Sequence, residues 1–254
     1  MSEGDTASVT VTFAGSGDAF GSGGRLQACI HLCADANTGV LLDCGATSLV
    51  ALARQGIDPN AIAAVFVSHM HVDHFGGIPL LILDGQFRRR TEPLTVAGPH
   101  GLAARLTETM EVMFPGSSTV QRRFGVHVIE LDPADPPTVI GSATVQAWPV
   151  DHGVQGGPFL ALRVGIGGKA IAYTGDTAWT DTLIDVAEET DLLIAEAYFW
   201  DKPVPYHLRH ADLIEHRPQI ASARTILTHM STDMLAHAAA AEFELAHDGL
   251  TINL

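Results

Sequence analysis

The sequence is short of cationic charge. Its 254 residues carry 14 Lys and Arg against 29 Asp and Glu, a formal net charge of −15. That balance argues against a long polyanionic partner such as RNA. Charged residues of both signs make up only 17% and apolar residues 46%, which excludes a disordered chain and leaves enough apolar mass for a large core. Cysteine is scarce. Cys29, Cys33 and Cys44 fall in apolar, strand-like segments, so no disulfide framework is expected and they read as reduced core residues. The alternation Cys29-x-His31-x-Cys33 is what a strand produces without a metal. No apolar run reaches the length of a membrane span, and the opening Met1-Ser2-Glu3-Gly4-Asp5 is polar and acidic, unlike a signal peptide. Linkers and low-complexity tracts are missing too; the loop Asp132-Pro133-Ala134-Asp135-Pro136-Pro137 is too short to be a hinge. The expectation is one domain over residues 1–254, at the upper edge of single-domain size. It is expected in the cytoplasm, with no membrane association.

What the chain does have is a dense run of donors. Ser68-His69-Met70-His71-Val72-Asp73-His74 follows the strand-like Ala63-Ala64-Val65-Phe66-Val67. Imidazole and carboxylate both suit zinc and related transition metals. His69 and His71 sit two apart, so an extended segment points them to one side. Asp73 and His74 come after the chain must turn, where they can face a second ion. Two divalent cations would offset about four of the negative charges.

Strands and helices are mixed throughout. Strand patterns cover 8–14, 26–32, 39–43, 63–67, 126–131, 143–150, 159–164, 170–173, 192–195 and 225–227. Helical patterns cover 47–55, 78–87, 102–113, 181–189, 211–220 and 232–243. A faint echo links Val67-Ser68-His69-Met70 with Leu227-Thr228-His229-Met230, and Leu42-Asp43-Cys44-Gly45 with Tyr173-Thr174-Gly175-Asp176. Two such halves would pack sheet to sheet with helices outside, giving an α/β four-layer αββα sandwich with the site at one edge.

Three further strand ends carry a donor: Asp151-His152-Gly153, Thr174-Gly175-Asp176-Thr177 and Thr228-His229-Met230. A dinuclear site with a bridging carboxylate needs about seven protein ligands. His69, His71, Asp73, His74, His152, Asp176 and His229 supply seven. A lone His after a strand is usually structural; the set around one dense motif is not.

His69-x-His71-x-Asp73-His74, with His152, Thr174-Gly175-Asp176-Thr177 and Leu227-Thr228-His229, resembles the metallo-β-lactamase superfamily over nearly the whole chain, from Phe13 to Asp233. The resemblance implies the αββα sandwich. It implies that His69, His71 and His152 hold one metal, Asp73, His74 and His229 a second, and that Asp176 bridges them. The implied cofactors are two divalent ions, zinc first, with manganese or iron as alternatives. Antibiotic-destroying members usually place Cys at the position of Asp176, so the chain is closer to the ribonuclease Z and cyclic phosphodiesterase branch. There a His 22 positions before the last ligand donates a proton, supported by an acid; His207 lies 22 before His229 and Glu196 matches the acid. His210 competes for the donor role. Asp73 counts with the catalytic residues as well as the ligands, and Asp43 reads as a residue orienting a ligand His or as a strand-end cap.

Ribonuclease Z carries a long basic arm between the ligands matching His152 and Asp176, but here they are only 24 positions apart. The cysteine-rich zinc site of cyclic phosphodiesterases is not reproduced by Cys29 and Cys33. The expected activity is hydrolysis of small or short phosphodiesters by a metal-bridging hydroxide. Arylsulfatase, thioester or lactone hydrolase, tRNA 3′-processing ribonuclease and an inactive binding module are the alternatives. The expected partner is a small-molecule substrate. An exposed apolar helix over Ile78–Leu83 would make a homodimer plausible. The glycine-rich stretch Gly15–Gly24 reads as a substrate lip or a plain turn, and Arg88-Arg89-Arg90 as an anion contact or a solvated helix end. Phe114, Trp148, Phe159, Tyr198, Phe199 and Trp200 read as pocket lining or packing.

Overall fold

Two seven-stranded sheets lie face to face in the computed structural model, which describes residues 8–35 and 38–254. The opening stretch Met1–Asp5 lies outside the described residues. The first sheet is built from β1 (Thr10–Gly15), β2 (Cys29–Asp35), β3 (Thr38–Leu42), β4 (Ile62–Phe66), β5 (Leu94–Gly98) and β6 (Val126–Glu130). The second holds β7 (Thr138–Ile140), β8 (Ala143–Pro149), β9 (Leu160–Ile166), β10 (Lys169–Tyr173), β11 (Leu192–Glu196), β12 (Thr225–Thr228) and β13 (Glu244–Leu245). The last strand, β14 (Leu250–Asn253), returns to the edge of the first sheet beside β1.

Alternation along each strand makes the layers. Leu42, Ala64 and Phe66 face inward to meet Leu162, Ile171, Tyr173, Ile194 and Ile226 from the opposing sheet. Their neighbours Leu41 and Val65 face outward, under α1 (Ser48–Arg54), α2 (Val72–Phe75), α3 (Ile78–Phe87) and α4 (Leu102–Met113). On the other side Leu193 and Leu227 face α5 (Thr182–Ala187), α6 (His210–His216) and α7 (Thr232–Ala236). Strands covered on both faces need apolar side chains at every position, which is why β4 and β11 read as unbroken hydrophobic runs. The result is the expected αββα sandwich. Phe66 is fully buried between the layers, and Phe66→Ala would cost about 3–5 kcal/mol.

β3 to β6 run parallel, as do β10 to β13, and β8 shares the direction of β10 through antiparallel β9. The carboxyl ends of β3, β4, β8, β10, β11 and β12 therefore gather at one edge. That is where open α/β sheets bind ligands.

Three expectations are corrected. The helix read over 232–243 stops at Ala236, because the chain must turn for Leu245 to pair in parallel with Leu227. Tertiary pairing overrides the helix propensity of the alanine run. The apolar stretch Ile78–Leu83 is not an exposed face: Ile78, Leu81 and Ile82 are buried in the chain's own core, and the exposed apolar side chain of this helix is Phe87 at its end. Arg90 is neither a solvated helix end nor an anion contact. Its guanidinium is buried and donates to the carbonyls of Pro59, Ile62, Glu92 and Pro93. Sequence reading missed β5, β7, β13 and β14, all five residues or shorter, and the single turn of α2.

Candidate metal centre

The dense motif leaves β4 as a loop and folds at once into α2. The segment after β3 holds that loop in place. Cys44 N–H donates to His74 O (2.7 Å), Ala46 N–H to Val72 O (3.2 Å), and Gly77 N–H to Cys44 O (2.8 Å). The approach is close enough that a Cβ on Gly45 would lie 2.2 Å from Asp73 O, so only glycine fits there. Two strand-end residues, Asp43 (φ 57°) and His229 (φ 56°), take left-handed backbone conformations. Non-glycine residues rarely do so, and such strain gathers at functional sites.

All seven expected donors converge. His69 Nε2 lies 3.0 Å from His71 Nδ1, which lies 3.3 Å from His152 Nε2. On the other side His74 Nε2 is 3.3 Å from His229 Nε2, from Asp73 Oδ2 and from Asp176 Oδ1. His229 Nε2 is 3.1 Å from Asp73 Oδ2 and 3.5 Å from Asp176 Oδ2. Asp176 Oδ2 also faces His152 Nε2 at 3.8 Å, so Asp176 stands between the two groups. Two sets of mutually close donor atoms result, His69–His71–His152 and Asp73–His74–Asp176–His229.

The tautomers follow from what lies behind the ligands. Asp43, fully buried, receives Ser68 N–H (2.7 Å), Ser68 Oγ–H (2.7 Å) and Tyr173 O–H (2.8 Å), and lies 2.6 Å from His74 Nδ1. A carboxylate accepts, so Nδ1 of His74 carries the proton and Nε2 turns a lone pair to the centre. Because the Ser68 hydroxyl donates to Asp43, its oxygen accepts from His69 Nδ1 at 3.1 Å. One carboxylate thus fixes an imidazole in each group. His152 Nδ1–H donates to Tyr206 O at 2.7 Å, which frees its Nε2 in the same way. Such outer contacts orient metal-binding histidines. Phe159 closes the apolar side, its ring 5.0–5.8 Å from those of His69, His71 and His152.

The charge pattern fits divalent metal. Burial, reinforced by neighbouring imidazoles, holds His69, His71 and His152 below the ordinary range, in the neutral form a metal needs. Burial also opposes charge at His74 and His229, but Asp176, with Asp43 and Asp73 at His74 and Asp73 at His229, raises both. Burial pushes the Asp73 and Asp176 carboxyls up, yet His74 and His229 hold both well below the usual range. Asp176 Oδ1 is buried without a hydrogen-bond partner. Separations of 3.0–3.8 Å between donor atoms match the roughly 3.4 Å edge of a tetrahedron around an ion with bonds near 2.1 Å. Nitrogen lone pairs facing one another at that spacing repel unless a proton or a metal cation lies between them. These residues fit two divalent ions.

Beside the centre, His207 Nδ1 lies 3.0 and 3.2 Å from the two oxygens of Glu196, which is fully buried at the end of β11. Burial lowers His207; burial and then Asp176 raise Glu196. The short contact lets the two groups share a proton. His207 also lies close to His152 and Asp176, and its ring stacks on Tyr198 at 4.6 Å. His210 is turned away: it stacks on Trp200 at 4.1 Å and accepts from Glu242 N–H at 3.2 Å. The glycine stretch is a turn knotted on Asp18, which accepts from Phe20 N–H, Ser22 N–H and Ser22 Oγ–H. Its Ser16 carbonyl supports His229 N–H at 3.1 Å. Of the six aromatics, Phe159 and Tyr198 touch site imidazoles. Trp148 stacks under Arg163, Phe199 and Trp200 pack on neighbouring rings, and Phe114 is exposed. Sequence reasoning missed Ser68 as a relay, Tyr173 and the Tyr206 carbonyl. Ser68 stood inside the motif already; no residue-type signal marked the other two.

A family model described as Beta-lactamase superfamily domain matches residues 38–230. A ribonuclease Z of Methanosarcina acetivorans is 25% identical over 276 residues, covering 88% of this chain and 88% of that protein. Among solved structures, the metallo-beta-lactamase fold protein YhfI of Bacillus subtilis superposes with a TM-score of 0.79 at 20% identity, covering 98% of this chain and 100% of that one. The short form of human tRNase Z gives a TM-score of 0.77 at 25% identity, covering 96% and 98%.

Proposed function

The chain belongs to the β-lactamase superfamily, as a metal-dependent hydrolase of the ribonuclease Z and phosphodiesterase branch, and from that premise we propose that it cleaves small or short phosphodiesters. His69, His71 and His152 would hold one ion, Asp73, His74 and His229 the other, with Asp176 shared; zinc suits this nitrogen and oxygen donor set. When bound, the ions supply Lewis-acid chemistry, polarising a phosphoryl oxygen and acidifying water.

The protein's own groups do the rest. Hydrolysis adds water across one P–O ester bond: phosphorus gains the hydroxyl, the bond to the leaving oxygen breaks, and that oxygen needs a proton. The observation that carries the reading is the Glu196–His207 pair set against the seven converged donors. His207 gives the proton, and Glu196 holds its ring at Nδ1 so that Nε2 meets the leaving oxygen. Asp43 keeps His74, and through Ser68 also His69, aimed at the centre.

Processing of tRNA 3′ ends is the second reading, favoured by the names of the relatives. Against it stand the charge of −15 and the plain β9–β10 hairpin that spans the interval where a basic arm would lie. A small-molecule substrate and a cytoplasmic location complete the proposal. No helix among the described residues is long and apolar enough to cross a membrane, and Cys29 and Cys44 are buried thiols. The test is a panel on zinc-reconstituted protein: bis(4-nitrophenyl) phosphate, 4-nitrophenyl sulfate, a thioester, a lactone and a tRNA precursor. Turnover of the phosphodiester well above the others supports the proposal. Preference for sulfate, thioester or lactone reassigns the activity, and efficient precursor cleavage restores the second reading.

A further inference from the structure

His207 has two sides. One faces the metal centre; the other lines a cavity of about 400 Å³. It is also lined by Trp179, the run Pro203-Val204-Pro205, Arg209 and Asp212. The cavity looks charged in a residue inventory but is not so in its hydrogen bonding. Arg209 Nε lies 3.1 Å from both Asp212 oxygens, one terminal nitrogen also donates to Asp212, and the other donates to Asp201 O. The one cation in the lining is thus neutralised and fixed. Trp179 is held flat against His216, centroids 3.8 Å apart and planes 5° apart, with its indole N–H turned to Asp181. These contacts brace its ring, and Pro203 and Pro205 stiffen their part of the lining.

Resting on the phosphodiesterase reading, we propose that this cavity binds the leaving moiety of the substrate and selects one that is flat, apolar or aromatic, and uncharged. Position supplies the first half of the argument. A group that protonates the leaving oxygen must touch it, so whatever is attached to that oxygen continues past His207 into the adjoining space. Chemistry supplies the second. Trp179 and the proline-rich wall reward an aromatic face, while a leaving group with a further phosphate or carboxylate finds the one lining cation, Arg209, already paired with Asp212. The P–O bond breaks as already described, and the released alcohol or phenol carries the proton from His207.

The experiment has a binding arm and a kinetic arm. In the zinc-loaded protein, 4-nitrobenzyl alcohol, a neutral leaving-group mimic, should quench tryptophan emission saturably, and its anionic analogue 4-nitrobenzoate should bind more weakly. Trp179→Ala should abolish the saturable quench. It should raise KM for bis(4-nitrophenyl) phosphate about three- to tenfold, the loss of one stacked aromatic contact, with kcat nearly constant. Val204→Asp, which leaves the indole in place, should weaken the alcohol and the diester alike. Unchanged quench and KM in both variants, or tighter binding of 4-nitrobenzoate, would overturn the assignment. A protein that binds the alcohol through Trp179 but turns over no phosphodiester would instead sink the parent reading, so the two failures are told apart.

Discussion

The two sheets deliver the site in opposite ways. The first gives four donors, His69, His71, Asp73 and His74, from six consecutive residues after β4 that span a short loop and the start of α2. The second gives His152, Asp176, Glu196 and His229 one at a time, from the ends of four strands, and His207 from the loop before α6. The loop is local chemistry, held by backbone bonds to the segment after β3. The scattered set exists only because parallel strands end at one edge. A concentrated contribution is easy to form but would fill only part of each metal's coordination sphere. The dispersed one would complete both and adds the Glu196–His207 pair.

That contrast is broken most sharply at Asp176, the dispersed residue standing between both groups. Asp176→Ala should strip both ions and with them all turnover, whereas His69→Ala, in the dense loop, should empty only the all-histidine group. Metal per chain after dialysis reads the difference; an Asp176→Ala protein with full metal and activity would refute the bridge. Next in size is His207→Ala. Metal content should stay intact while the rate falls about two to four orders of magnitude for alkoxide leaving groups, and far less for nitrophenolate, which leaves without help. Equal losses for the two leaving groups would remove His207 from the donor role. A smaller effect separates the two orienting acids. Asp43→Asn should weaken metal binding by about 10- to 100-fold, because it serves ligands in both groups. Glu196→Gln should leave metal binding alone and lower only the rate. If the two variants behaved alike, the division between a binding half and a proton half would be false.

Legibility in the sequence followed the same division. Four donors in six residues announce themselves, and unbroken apolar runs such as Ile62–Phe66 mark strands covered on both faces. His152, Asp176 and His229 became readable only because each follows a strand, so their order stood in for their proximity. For His207 and His210, three residues apart, spacing favoured His207 without deciding between them. Geometry parts them, since one pairs with Glu196 and the other packs on Trp200. Tyr173 and the Tyr206 carbonyl were invisible, because they act through register and loop path rather than residue type. The long helix expected over 232–243 failed for a related reason: pairing between β12 and β13 is decided by strands distant in sequence.

The smallest effect extends the comparison to a histidine outside the site. In sheet one, His31 on β2 is largely buried, its ring so close over β3 that a Cβ on Gly39 would lie 2.1 Å from Nε2. No carboxylate among the described residues offsets the burial, and its pKa is lowered to about 4, where His74 is raised by three carboxylates. The sign follows directly. From about 6.5 down to about 4 the unfolded chain holds a proton on this ring that the folded chain refuses, so stability is complete above that window and is lost as pH falls through it. Between pH 6.5 and 5 the loss from this one residue should be about 1–2 kcal/mol after allowance for partial exposure. Urea unfolding of wild type and His31→Gln at several pH values isolates it, since the variant should lack that part of the slope. Identical slopes would mean that the ring is solvated in the folded chain, and that burial without a partner is not what sets this histidine apart from those at the centre.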